Sequence, residues 1–278
     1  MYTPDLNLLG RSLSGVQCVQ VLTNGDEVLV HALTGPRSEP VSELHRLVAN
    51  GAHLLRRFDR AYLFSIDIGG RLLARDTTRE AGRRADRILG PDGGDEWVGV
   101  LGHFDCFNHS IRVDHGPGLF FLRGSPPTSH LAKSFCRAND DGTVDPLFPW
   151  DEPPSHRMEP CVTAIGRDEL VAGYRLYHPH PGKGERWIEH RGPGGGAVTW
   201  RVEWPLAPVA VASVPALDAV LVATLDGRLA ALDRFTGASL ASVQLAAGTS
   251  VAPMCLAAER TRIAVGTNDG RMLLLELR

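Results

Sequence analysis

The segment HFDCFNHSIRVDH, residues 103–115, holds the densest set of side chains that could do chemistry. Histidine nitrogens and carboxylate oxygens are ligands for zinc and similar divalent ions. Residues of equal parity share one face of a strand, so the odd-numbered members are predicted to converge: His103, Asp105, His109 and His115. Their spacing matches no specific metal motif. A divalent metal site is therefore one alternative, and turn residues that hold no cofactor are the other.

A second polar set lies in YHPHPGKGERWIEH, residues 177–190. Glycines flank the lone Lys183, which is typical of loops that bind anions. The spacing is not that of GxxxxGK[ST], and no helix is predicted to follow and point its amino end at a phosphate. Two interpretations remain for the polar members of this segment, small-ligand binding or a polar hairpin: Tyr177, His178, His180, Lys183, Glu185, Glu189 and His190.

A third candidate is RANDDGTVDPLFPWDEPPSHRM, residues 137–158, which the repeat spacing described below sets apart as an insertion. Its acidic start lacks the spacing and terminal glutamate of an EF-hand, so an Asx-turn is the better interpretation. Leu147, Phe148 and Trp150 follow among prolines that keep the chain extended. An exposed Phe and Trp would anchor a protein partner. The alternative is that they pack onto the structure beneath.

The sequence lacks the motifs of several enzyme classes. The chain contains no GxSxG, HExxH, Walker-type or dinucleotide-binding pattern. A Ser–His–Asp set remains open, because members of such triads come from distant positions in a sequence.

Charge and composition limit the partners. The 278 residues are 43% hydrophobic and 22% charged, with a formal net charge of −3, as in a globular protein without a global basic field. Arginines cluster between residues 56 and 87, but acidic side chains alternate with them. A solvated, salt-bridged face is therefore predicted rather than a nucleic-acid surface. No apolar run approaches the ~20 residues that span a bilayer, so neither nucleic acid nor membrane is implied as a partner.

The five cysteines are scattered, odd in number and without a CxxC pair. Such residues are typical of small buried side chains in a reducing compartment. The amino-terminal sequence MYTPDLNLLGRS also lacks a basic start followed by an apolar core, so no signal peptide is predicted. We expect a cytoplasmic protein.

The elements that position these residues are clearest at residues 208–245, which contain four short apolar runs separated by turn signals. The Asp-Gly pair at 226–227 favours a tight hairpin, because a type I′ turn needs positive φ at both central residues. Four strands joined by tight turns form an antiparallel meander, which is one blade of a β-propeller.

Hairpin glycines recur along the chain, at intervals compatible with the blade period. Gly227 and Gly270 are 43 residues apart, and Gly184 lies 43 residues before Gly227. Gly118 is 66 residues before Gly184, or 44 once the 22 residues of 137–158 are removed as an insertion. Gly70 and Gly35 continue the series. These six hairpins predict a single all-β domain over 1–278, a six-bladed β-propeller, with seven blades as the alternative. A strand within 6–13 is predicted to close the ring.

The amino-terminal half contains two segments with helix-like composition and spacing, residues 42–58 and 78–89. If both are helices, an α/β module precedes a carboxy-terminal set of propeller blades. That architecture is the other alternative.

The segment GRLAALDRFTGASL, residues 227–240, resembles the repeat of pyrroloquinoline-quinone-type (PQQ-type) propellers and, more distantly, that of WD-repeat proteins. A hairpin glycine, an Ala-Leu-Asp strand and a Thr-Gly turn carry the resemblance, at Gly227, Asp233 and Gly237. Ala241 stands where that repeat usually has tryptophan. The resemblance covers about 40 of 278 residues and implies a blade, not quinone chemistry.

Two functions follow as expectations. The first is a non-catalytic scaffold that presents a loop face to a protein partner, with Leu147, Phe148 and Trp150 in contact. The second is a small propeller enzyme, a metal-assisted lyase or hydrolase that uses the His103–His115 cluster.

Overall fold

The computed structural model describes fifteen stretches of the chain: 17–24, 27–36, 38–48, 51–78, 83–102, 113–116, 118–124, 133–151, 155–166, 168–177, 184–192, 196–245, 253–259, 262–267 and 272–276. These residues form an all-β structure of 23 strands in five hydrogen-bonded sheets. The predicted strand within 6–13 lies outside the described residues, as does Gly270.

Four of the sheets are simple antiparallel meanders in chain order. The first contains β1 (Gln17–Asn24), β2 (Glu27–Thr34), β3 (Val41–Val48) and β4 (Gly51–Arg57). The second contains β10 (Leu119–Arg123), β11 (Ser134–Ala138) and β12 (Val144–Pro149). The third contains β17 (Pro208–Val214), β18 (Ala219–Thr224), β19 (Arg228–Asp233) and β20 (Ser239–Gln244), with a short 3-10 turn at Pro215–Leu217. The fourth contains β21 (Pro253–Glu259), β22 (Arg262–Thr267) and β23 (Met272–Glu276).

The fifth sheet has nine strands and joins two meanders through a short central strand. One meander is β5 (Tyr62–Asp67), β6 (Leu72–Asp76), β7 (Asp86–Leu89) and β8 (Asp95–Gly99). The other is β13 (His156–Gly166), β14 (Glu169–Tyr177), β15 (Glu185–Arg191) and β16 (Val198–Glu203). The central strand, β9 (Val113–Gly116), pairs in parallel with both β5 and β13.

The first strands of successive meanders contact one another and close a ring. Strand β1 contacts β5 on one side and β21 on the other, and β17 contacts both β13 and β21. A closed ring of meanders is a β-propeller, so the predicted fold class is confirmed. The described strands form five sheets, and the predicted count of six blades is not confirmed.

The hydrophobic core lies between neighbouring meanders. Each of its five clusters joins two of them; one, for example, combines Leu44 of β3 with Phe64 of β5. Strand β18 is buried at all six positions, as expected for a strand covered on both faces. Packing between the sheets therefore accounts for most of the buried apolar surface.

One contact recurs at four of these junctions. A side chain on the outermost strand of one meander packs on a glycine of positive φ, in the last turn of the next meander. A Cβ atom would lie 2.6 Å from Phe148 Cδ1 at Gly196 and 2.7 Å from Trp200 Cε3 at Gly237. Both positions therefore require glycine. The equivalent pairs are Leu55 with Gly93 and Trp97 with Gly142.

The alternative with helices at 42–58 and 78–89 is wrong where the structure describes these segments. The first forms β3 and β4, and β7 occupies the end of the second. Leu44, Leu47 and Val48 have the spacing of a helix, but the burial of Ser42 and Leu44 follows the alternation of a strand. Backbone pairing with β2 supports β3 as a strand.

The assignment of 137–158 as an insertion is also wrong. The segment contains the end of β11, all of β12 and the start of β13. The long interval arises because the glycines mark different turns. Gly70 separates the first two strands of its meander and Gly118 follows β9, whereas Gly184 and Gly227 separate second and third strands.

Candidate interaction surface

The predicted metal cluster lies almost entirely outside the described residues. His103, Asp105 and His109 belong to the stretch 103–112, which the structure does not describe. His115 is in β9, and its side chain is likewise outside the description. Within the described ranges, no group of three or more His, Cys, Asp or Glu residues is placed to hold a metal ion. The metal site stays a prediction.

The predicted partner anchor is mostly buried. Phe148 is 6% exposed and Trp150 is fully buried, while Leu147 is partly buried against the same core cluster. The expectation that Phe148 and Trp150 form an exposed anchor is therefore wrong. The reason is tertiary: β12 lies at the edge of its own sheet, but its aromatic side chains point into the junction with the β13–β16 meander.

Aromatic rings stack through this junction. Phe135 lies 5.1 Å from Phe148 and 6.1 Å from Trp150, centroid to centroid, and Trp150 meets Tyr174 edge-on at 6.0 Å. Such ring pairs add about 0.5–1.5 kcal/mol each beyond the area that they bury. These aromatic residues stabilise the fold.

A buried ion network next to these rings contains part of the second sequence-predicted set. Glu189 is fully buried and accepts contacts from three guanidinium groups: Arg157 at 2.7 Å, Arg191 at 2.6 Å and Arg201 at 2.8 Å. The Tyr174 hydroxyl donates at 2.5 Å to Glu189 Oε2, the oxygen that Arg201 also contacts. Arg191 also lies 4.6 Å above the ring of Phe148. Of the same set, His178, His180 and Lys183 are outside the described residues.

The electrostatics of this network favour an ionised Glu189. Burial opposes ionisation, but the charges of Arg157 and Arg191 and the hydrogen bond from Tyr174 outweigh it, so the pKa of Glu189 is lowered. Burial, and then the charge of Glu189, raises the pKa of Tyr174. Both groups therefore keep fixed protonation states near neutral pH, which suits a structural role more than proton transfer.

Two further buried polar groups extend the network toward the β10–β12 sheet. Lys133 Nζ donates to the Arg157 carbonyl oxygen at 2.7 Å and lies 3.4 Å from Asp151 Oδ1. The Asp151 carboxylate also accepts the backbone N–H groups of Lys133 and Arg157. These bonds fasten Asp151, which follows β12, to the residue before β11 and to β13.

The arginine-rich region between residues 56 and 87 is tied into ion pairs, as the sequence predicts. Arg56 and Arg87 both contact Asp95, at 2.8 and 2.7 Å. Arg75 is buried beside Asp86 at 3.0 Å, and burial lowers its pKa to about 10. Acidic partners therefore offset much of the positive charge of this region.

An exposed apolar surface lies at one end of the β17–β20 sheet. We define the turn surface as Leu217, Arg234 and Phe235, from the β17–β18 and β19–β20 turns. Phe235 is 59% exposed and Leu217 is 45% exposed. The Arg234 guanidinium lies 4.7 Å from the centre of the Phe235 ring. Large apolar side chains beside an arginine are typical of protein-binding surfaces.

The backbone of the turn surface is held firmly. One oxygen of Asp233 accepts the N–H groups of Phe235 and Thr236 at 3.0 and 2.8 Å, and the Thr236 hydroxyl at 2.8 Å. Trp200 Nε1 donates to the Arg234 carbonyl oxygen at 2.9 Å. The Arg234 N–H donates to the Asp218 carbonyl oxygen at 2.9 Å, which joins the two turns.

Sequence analysis identified Asp233 and Gly237 as repeat residues but missed Leu217 and Phe235. The signal was available, because Phe235 is a large apolar residue inside the turn DRFTG, where polar residues are expected. It also missed the docking residues Trp97 and Trp200. Each follows a glycine of positive φ by four positions, the spacing at which Ala241 follows Gly237.

Comparisons with known proteins concern the fold. No protein-family model matches the chain, and no curated protein sequence matches it. The crystal structure of Chaetomium thermophilum Raptor is similar, with a TM-score of 0.56 and 11% identity, over 95% of this chain and 24% of that one. The C-terminal WD40 domain of Sif2 gives a TM-score of 0.49 at 10% identity, over 95% of this chain and 98% of that chain. BamB from Moraxella catarrhalis gives 0.48 at 11%, over 94% of each chain. At these identities the likeness concerns the arrangement of strands and not the function.

Proposed function

We propose that the protein is a non-catalytic interaction module, a β-propeller scaffold that binds a protein partner through the turn surface Leu217, Arg234 and Phe235. The observation that carries the proposal is the rigid presentation of Phe235. Its ring is 59% exposed, while the backbone that bears it is fixed by the Asp233 carboxylate and by Trp200.

Rigidity matters because binding has an entropic cost. Each side chain or loop that is ordered on association costs free energy, and a surface that is already ordered avoids much of that cost. A phenylalanine has two side-chain torsions, and the Arg234 contact restricts them further. The turn surface therefore has the properties of an interaction hot spot: an aromatic anchor, a neighbouring arginine and an aliphatic rim.

The charges favour a protein partner over a nucleic acid. The formal net charge is −3, and described arginines of the 56–87 region are paired with Asp95, Asp86 and Asp76. Nucleic-acid binding depends on unpaired basic side chains that displace counterions from phosphates. The described residues contain no helix that is long and apolar enough to cross a bilayer.

For the scaffold itself, we propose six blades. The support is that the nine-stranded sheet contains two complete meanders, β5–β8 and β13–β16, joined by the parallel strand β9. Strand β9 then serves as the innermost strand of the blade that β10–β12 continue, since it precedes β10 in the chain and contacts it.

A reducing, cytoplasmic location is part of the same proposal. Cys136 and Cys161 are free and buried, and burial raises the pKa of their thiols to about 11 and about 12. Such thiols are inert packing residues, as is usual in compartments where disulfides do not form.

Affinity purification tests the interaction surface. The bait is the full chain, as wild type, as the double variant Leu217→Ala/Phe235→Ala, and as the control Leu225→Ala. Leu225 is 58% exposed, like Phe235, but lies in the turn at the other end of the same sheet. Loss of an aromatic hot spot costs about 2 kcal/mol or more, which is about 30-fold in affinity.

We expect at least one protein that the wild type and Leu225→Ala retain and that the double variant loses. Unchanged thermal unfolding of the double variant establishes that its fold is intact. If all three baits retain the same proteins in the same amounts, the turn surface is not the binding site.

A further inference from the structure

The outer edge of the β17–β20 sheet differs from the rest of the molecule. Strand β20 is the last strand of its sheet, and all six of its residues, Ser239–Gln244, are exposed. Its apolar side chains, Leu240 and Val243, are 55% and 53% exposed. In the described part of the chain, no strand pairs with its outer edge.

Four of the other outermost strands, β4, β8, β12 and β16, carry protection against edge-to-edge pairing. Charged side chains and prolines are the usual devices, because a charge resists burial and a proline lacks the N–H donor. Strand β4 has Arg56 and Arg57, β8 has Asp95 and Glu96, and β16 has Arg201 and Glu203. Strand β12 has Pro146 and Pro149. Strand β20 reads SLASVQ and has no charge and no proline.

Strand β20 also lacks the side chain that docks on a neighbouring meander. Phe148 and Trp200 fill that role on β12 and β16, and each is largely buried as a result. Ala241 stands four residues after Gly237, where Trp97 and Trp200 stand after their own glycines. Strand β20 is therefore left exposed along its whole length.

The pairing pattern defines which backbone groups face outward. The Leu245 N–H donates to the Gly227 carbonyl oxygen at 2.9 Å, and Val243 and Ala241 are opposite Leu229 and Ala231. In an antiparallel ladder, alternate residues bond to the same neighbour. The N–H and C=O groups of Ser242 and Gln244 consequently point away from β19.

We propose that strand β20 is a dimerisation edge, which pairs antiparallel with β20 of a second copy of this chain about a two-fold axis at Ser242. Ser242 then faces Ser242 of the second copy, and Ala241 faces Val243 of the second copy. The two sheets become one sheet of eight strands. Closed two-fold dimers are the commonest protein oligomers, and each uses the same patch on both copies.

Strand β20 carries no charge, and this favours a second copy of the chain as its binding partner. Self-pairing sets two copies of one strand side by side, so a strand with a net charge is paired with a strand of the same net charge, which is destabilising. A pair of β4 strands would double the charge of Arg56 and Arg57, and a pair of β8 strands would double that of Asp95 and Glu96. Strand β20 has no such conflict and has apolar Val243 to bury. This inference goes beyond the proposed partner binding and does not depend on it.

A charge-swap experiment tests the proposal. Sedimentation velocity across a wide range of protein concentration measures self-association of the wild type, Val243→Lys, Val243→Glu and a mixture of these two variants. The matched control is Val98→Lys, because Val98 is also on an outermost strand and is 48% exposed.

We expect concentration-dependent dimers for the wild type and for Val98→Lys. Like charges at position 243 should weaken the dimer at least about tenfold, and the mixture of Lys and Glu variants should restore it. Ser242→Pro removes an outward N–H without touching the ladder to β19, and it should also give a monomer.

If the wild-type chain stays monomeric at every concentration, the proposal is wrong. This holds whether the edge of β20 is then free or binds an extended peptide of another protein. Dimers that survive both Val243→Lys and Ser242→Pro overturn it as well, since another surface would then be responsible. A variant mixture that stays monomeric has the same consequence. Partner capture by the monomeric variants would leave the proposed function standing.

Discussion

The junction between the β10–β12 sheet and the β13–β16 meander contrasts with the outer part of the β17–β20 sheet. The junction is rich in charged and aromatic residues, and nearly all of them are buried. Phe148 docks on Gly196, and Glu189 binds three arginines. The outer part of the β17–β20 sheet has an uncharged edge strand and an exposed Phe235.

Residues whose side chains could do chemistry can therefore have a purely structural role. Phe148, Trp150 and Glu189 attract attention in the sequence between 137 and 190, and in the structure they stabilise a junction between sheets. The sequence SLASVQ of β20 is better evidence for an interface, because it has no charge or proline that would protect an exposed edge.

The largest expected effect comes from removing the carboxylate of Glu189, which three arginines share at the junction. Glu189→Gln takes away the negative charge that Arg157, Arg191 and Arg201 contact in a buried site. We expect the free energy of unfolding to fall by about 3–5 kcal/mol, measured by chemical denaturation. Glu203→Gln, on an exposed position of β16, is the control and should change it by less than about 0.5 kcal/mol. Similar effects of the two substitutions would show that the network contributes little.

Two phenylalanines give the most direct comparison of the regions. Phe148→Ala should cost about 3 kcal/mol of stability, because it opens a cavity beside Trp150 and Gly196. Phe235→Ala should cost less than about 0.5 kcal/mol, because its ring is exposed. Thermal and denaturant unfolding of both variants measure this difference. A stable Phe148→Ala variant would argue against the buried docking contact.

Acid should lower the free energy of unfolding through the same carboxylate, by a smaller amount. The pKa of Glu189 is lowered in the folded state, so its ionisation stabilises the fold above the unfolded value of 4.5. That contribution is lost as the pH falls through the lower folded pKa. We therefore expect the wild type to lose more stability between neutral and strongly acidic pH than Glu189→Gln does. Parallel pH profiles for the two proteins would contradict this role of the carboxylate.

The smallest expected effect concerns metal. For a non-catalytic scaffold we expect elemental analysis of the purified protein to find no stoichiometric zinc or manganese. Either ion should shift the unfolding temperature by less than the ~2 °C that one kcal/mol of binding would produce. One bound metal per chain, lost on His103→Ala/His109→Ala, would instead support the alternative of a metal-assisted enzyme.

Much of the architecture could be predicted from the turns. Gly35, Gly70 and Gly227 have positive φ and lie between strands, so turn chemistry located these hairpins correctly. The intervals between them misled, because the same glycine signal marks two different turns of a meander. The interval of 66 residues between Gly118 and Gly184 is therefore no evidence for an insertion at 137–158.

Other errors came from periodicity. Residues 42–58 have leucines whose spacing fits a helix, yet they form β3 and β4 because Ser42 and His31 bond across neighbouring strands. The Ser42 hydroxyl also accepts the N–H of Tyr62 on β5. Contacts between residues so far apart in the chain override a weak local preference.

The class of the fold, the position of many hairpins and the lack of a global basic field could be predicted from the sequence alone, because turn residues and composition act locally. Only the tertiary structure decided which side chains are exposed. Phe148 and Phe235 are the same residue type on or beside outermost strands, and residue type alone does not distinguish them. One faces a neighbouring meander and the other faces solvent, because exposure depends on how the sheets are arranged around the ring. The same arrangement leaves β20 uncovered, which makes its uncharged sequence meaningful.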